Sequence, residues 1–85
     1  MTPQQIKMLE LLEEYRKLFP FPDGCRMDRT FREIRDHIFG VSEMRKDRAV
    51  FLSSYLMKIS VYDYVDDKQD KLHEIGKMIP WIGVL

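Results

Sequence analysis

Met8, Leu11, Leu12, Tyr15, Leu18 and Phe19 recur at three- and four-residue spacing, the period that gathers side chains on one face of a helix. Glu10, Glu13, Glu14, Arg16 and Lys17 occupy the opposite side. Ahead of this stripe, Thr2 suits an N-cap, Pro3 the first helical position and Gln5 the far corner of a capping box. Pro20 and Pro22 interrupt it, and Pro22-Asp23-Gly24 reads as a tight turn. The pattern predicts a first helix over 3–18.

Three more stripes follow. Asp28 is positioned to cap a second helix carrying Phe31, Ile34 and Ile38, with Gly40 as a left-handed stop. Ser42 is positioned to cap a third, whose wide stripe of Met44, Val50, Phe51, Leu52, Tyr55, Leu56 and Ile59 predicts an enclosed, central helix. A fourth starts near Asp66 or Asp67 with Leu72, Ile75, Ile79 and Ile82 in rhythm, and Pro80 ends or kinks it near Met78. The expected core is Leu9, Leu12, Tyr15, Phe31, Ile34, Ile38, Phe51, Leu52, Tyr55, Leu56, Ile59, Leu72, Ile75 and Ile79.

One segment competes with this scheme. Residues 59–65 (Ile-Ser-Val-Tyr-Asp-Tyr-Val) have strand composition and could pair with 81–85, making an α+β fold with a two-stranded ribbon. An isolated pair of strands is marginal in water, so the preferred reading is an all-α bundle of four helices, with the third running to about residue 62.

Composition narrows the choices. Eighty-five residues, 45% of them hydrophobic, suffice for one core and therefore a single domain over 1–85. Ala49 is the only alanine, so helix propensity contributes little and packing must hold these helices. No apolar run reaches the roughly 18 residues a membrane span needs, and the N-terminus lacks a basic-then-apolar leader. A single cysteine, Cys25, rules out an internal disulfide framework and fits a reducing, cytoplasmic setting.

Few residues are grouped for catalysis. Cys25 beside Arg26 has no sequence pattern joining it to His37 or His73, the base that thiol chemistry requires. Glu33 with His37, and Asp70 with His73, share helical spacing but match no metal motif, and no glycine-rich phosphate loop is present. The chain is therefore expected not to be an enzyme and to need no cofactor or metal.

Two binding surfaces remain. Tyr62, Asp63, Tyr64, Asp66, Asp67 and Asp70 form an aromatic–acidic run suited to docking a protein with a basic surface. Trp81, within the apolar tail 79–85, either supports that interface or a homodimer, or packs back on the core, which is the preferred outcome. This points to a small adaptor, inhibitor or assembly factor. The alternative is nucleic-acid binding. The 14 basic and 14 acidic groups cancel overall, yet residues 25–48 hold seven basic and five acidic ones. Arg29, Arg32, Arg35, Arg45, Lys46 and Arg48 supply phosphate-binding side chains on the second and third helices. Gly40-Val41-Ser42 between those helices is not a helix-turn-helix, because Asp36 and Lys46 stand where that motif faces its interior.

Overall fold

The stripes become four helices, α1 (Pro3–Leu18), α2 (Arg26–Ile38), α3 (Lys46–Tyr62) and α4 (Asp67–Met78), closed by a 3₁₀ turn at Ile79–Trp81. The structure, a computed structural model, describes the backbone of residues 1–62 and 67–82 and the side chains of 1–58 and 70–82. The fold is all-α, with no strand among the described residues. Residues 59–62, four of the seven in the candidate ribbon strand, are the last turn of α3, while 63–66 and 83–85 lie outside the described residues. None of the described helices is long and apolar enough to cross a membrane.

α1 starts as its sequence directs. Thr2 Oγ1 accepts from the Gln5 N–H at 3.1 Å, and the Gln5 side chain accepts from the Thr2 N–H at 3.0 Å. The starts of α2 and α3 differ from expectation. Cys25 caps α2, its sulfur accepting from the Asp28 N–H at 3.4 Å, which moves Asp28 inside the first turn. At the other end of α2, Gly40 (φ +76°) closes a Schellman motif. Its N–H donates to the His37 carbonyl and that of Val41 to the Asp36 carbonyl. The Ser42 N–H also returns to Asp36, so Ser42 finishes α2 instead of capping α3. The Arg45 carbonyl takes the first bond of α3, from Ala49. Met44 and Ala49 flank that start as buried staple positions.

The core joins Met8, Leu11, Leu12 and Tyr15 of α1 to Phe31, Ile34 and Ile38 of α2. To these it adds Ala49, Leu52 and Leu56 of α3 and Leu72, Ile75, Ile79 and Ile82 from the C-terminal part. Phe21 folds in from the turn, its ring 5.3 Å from that of Phe31 at 89°. The radius of gyration, 11.9 Å, equals that of a close-packed domain of this length, about 11.9 Å. The expected core needs correction on α3. Phe51 is not core but 49% exposed, and Val50 is exposed too. Positions 50, 51 and 52 stand about 100° apart around a helix, so only one of them can face inward, and Leu52 does. Leu9 and Tyr55 are half-buried, and the side chain of Ile59 lies outside the described residues. The tail splits: Ile79 and Ile82 are buried, the latter's carbonyl accepting from Gln5 Nε2 at 3.0 Å, whereas Trp81 points outward at 69% exposure.

α4 packs broadly on α3 and also against α1, whereas α2 and α3 hardly approach each other along their backbones. That uneven closure leaves an opening between α2 and α3.

Candidate functional site

The opening is a cleft of about 420 Å³ lined by Arg26, Arg29 and Thr30 of α2 and Arg48, Phe51, Leu52 and Tyr55 of α3. Helical spacing builds each wall. Arg26, Arg29 and Thr30 fall within one turn of α2, while Arg48, Phe51, Leu52 and Tyr55 follow at three- and four-residue steps on α3. Leu52, fully buried, forms the floor. The Phe51 and Tyr55 rings lie parallel (3° between planes) with centroids 6.4 Å apart. Each carries a guanidinium: Arg48 stands 5.2 Å from the Phe51 centroid and Arg26 5.0 Å from that of Tyr55. The site therefore combines cations and flat apolar rings.

Its charges are not equivalent. Glu33 binds Arg48 through two bonds, to Nε at 2.7 Å and Nη2 at 3.0 Å, which raises the arginine pKa and neutralises that corner. Arg26 and Arg29 have no carboxylate partner among the described residues. Thr30 is spent on its own helix, donating to the Arg26 carbonyl at 2.9 Å. The cleft thus holds two uncompensated positive charges beside two aromatic rings.

The arginine row expected to act together is divided. Arg29 and Arg48 share the cleft. Arg35 lines a different hollow with Leu9, Leu12, Glu13, Arg16, Phe31 and Phe39 between α1 and α2. Arg32 pairs with Asp28 at 3.3 Å, and Arg45 and Lys46 are exposed outside the cleft lining. Arg26 joins the site although the sequence marked it only as the neighbour of Cys25. Phe51 and Tyr55 were assigned to the core, and the signal that they belong elsewhere was the excessive width of the α3 stripe.

Of the residues expected to dock a protein, Asp70 of the aromatic–acidic run is exposed on α4 and Trp81 of the apolar tail is exposed on the terminal turn. Asp63, Tyr64 and Asp66 lie outside the described residues, as do the side chains of Tyr62 and Asp67. The helical pair Glu33 and His37 is engaged elsewhere, Glu33 with Arg48 and His37 as the acceptor, through Nδ1, of the Met44 N–H at 3.0 Å. No family model, curated protein or solved structure matches the chain.

A second charged cluster organises the α1–α2 turn and bears on stability. Asp28, 1% exposed, receives Arg16 Nη1 on Oδ1 at 2.6 Å and the Gly24 N–H on Oδ2 at 2.8 Å. Arg16 also holds Asp23 at 2.8 Å and lies 4.7 Å from the Phe21 ring centroid. Gly24 has φ +81°, which positions its N–H for Asp28. The Arg16 bond first, then that of Gly24 and the charge of Arg32, hold the Asp28 carboxyl below the usual carboxylate range against the opposing effect of burial.

Proposed function

We propose that this protein binds nucleic acid, without catalysing a reaction, through the cleft between α2 and α3. The observation that carries this reading is the pair Arg26 and Arg29, free of carboxylate partners among the described residues, in the cleft that the parallel Phe51 and Tyr55 rings also line, with Arg26 over the Tyr55 ring. A guanidinium donates parallel hydrogen bonds to a phosphate, and a phosphodiester chain brings flat bases with every charge. The ring and cation content of the cleft fits that combination. The protein's zero net charge sets the scale: there is no long-range pull, so affinity rests on local contacts.

That scale is measurable. Two uncompensated cations release about two counterions, giving a slope of log K against log salt of about −1.4 on single strands. Binding should be weak, with Kd on the order of 10⁻⁵ M at low salt. A gel shift or anisotropy titration between 20 and 200 mM salt (roughly the range over which such slopes are read) tests this with Arg26→Ala and Arg29→Ala. Each substitution should cut the slope to about −0.7, and the double variant should abolish it. Absence of binding at the lowest salt, or full binding by the double variant, overturns the proposal. Glu33→Gln checks the charge accounting independently. Freeing Arg48 from its carboxylate should steepen the slope to about −2.1.

A further inference from the structure

Resting on that reading, we infer that the cleft is selective for single strands and holds an unstacked base against the Phe51–Tyr55 face while Arg26 and Arg29 take the adjoining phosphates. The rings are the deciding feature. Phosphate contact alone needs cations on an open surface, and apolar rings there would only expose hydrophobic area to water. Here Phe51 is half exposed on a helix whose next residue, Leu52, is fully buried, so its exposure follows from helix geometry and its ring remains available to a ligand. Each ring has a guanidinium over one face at about 5 Å, too close to admit a base between them, so a base stacks by taking the guanidinium's place on the ring.

The space agrees with this assignment. A cleft of about 420 Å³ has room for one nucleotide and not for a duplex. In a duplex the bases are stacked inside and present only their edges, so the rings would gain nothing from it. An acidic peptide would satisfy Arg26 and Arg29 yet leave both rings in water. The nucleotide chain matches both halves of the site at once.

The two halves separate experimentally. Anisotropy titrations at low salt compare a labelled dT 10-mer, an abasic strand with the same number of phosphates, and a 10-base-pair duplex (lengths of about one helical turn). The dT strand should bind about tenfold more tightly than the abasic strand, and more tightly than the duplex. Phe51→Ala should bring dT down to the abasic level while leaving the salt slope unchanged. Tyr55→Leu, which keeps apolar bulk on the half-buried side, should do the same. Thermal melting of both variants separates lost binding from lost folding. Equal affinity for dT and abasic strands, or tighter binding of the duplex, overturns the single-strand assignment while leaving nucleic-acid binding intact. If no strand binds, both readings fall together. Polyglutamate that displaces dT as effectively as unlabelled dT also overturns the assignment, in favour of an acidic peptide.

Discussion

Replacing Asp28 by alanine is expected to lower the Tm by roughly 10–15 °C at neutral pH. The carboxylate is the centre of the α1–α2 turn. Both its oxygens are used, by Arg16 and by the Gly24 N–H, and its charge sits in the first turn of α2 where the helix dipole favours an anion. Alanine leaves the Gly24 N–H without its acceptor and removes the ion pair that ties Arg16 to α2. The loss is smaller than for a fully enclosed pair, because the Arg16 side chain is 36% exposed and retains Asp23. Asparagine keeps the shape but turns a donor toward either Arg16 or Gly24, so Asp28→Asn should fall between the two.

The same residue fixes the sign of the acid response. Its folded pKa lies below the unfolded value of about 3.9, so its contribution is complete above that pH and disappears as pH falls through the lower, folded value. The Tm attributable to Asp28 should therefore hold steady from pH 7 to about pH 5 and decline below about pH 4. In Asp28→Asn this component is absent, so the two melting curves should converge on acidification. A constant gap between wild type and variant down to about pH 1, below both the folded and unfolded values, would show that Asp28 acts through shape and not charge.

Much of this framework was legible from spacing alone. The four stripes, the capping box at Thr2, the stop at Gly40 and the break before Pro80 depend on near neighbours in the chain, and the helices form where those signals stand. What was not legible depends on partners far away in sequence. Asp28 looks like an N-cap until Arg16, twelve residues back, is placed against it. Ser42 looks like a cap until its N–H is seen returning to Asp36. The cleft was hidden for the same reason. Arg29 and Arg48 stood out as basic residues, whereas Phe51 and Tyr55 were counted as core because hydrophobicity does not reveal which flank of a wide stripe meets a neighbour. α2 and α3 diverge enough that this flank stays open.

The α3–α4 contact carries the larger expected effect, at Gly76. A Cβ added there would lie 2.8 Å from Met57 Cγ, 3.2 Å from the Ser53 carbonyl oxygen and 3.5 Å from Leu56 Cβ. Ser53 Oγ donates to the Gly76 carbonyl at 2.7 Å, so the two helices are pinned at the point where they approach. A methyl group in mid-helix normally gains about 1 kcal/mol over glycine. Here it meets a backbone atom of α3, which cannot retreat without opening the broadest helix–helix contact among the described residues, and overpacking of that kind costs about 1–3 kcal/mol. Gly76→Ala should therefore be destabilising by about 1 kcal/mol, a reversal of its helix-propensity sign. Gly76→Val adds two branches and loses helix propensity, for about 3 kcal/mol or more, against the roughly 4–13 kcal/mol that a chain of this length possesses. Urea titration followed by circular dichroism reads both, with valine removing between about a quarter and three quarters of that margin. An alanine variant more stable than wild type would mean that α3 and α4 can separate by a few tenths of an ångström without loss.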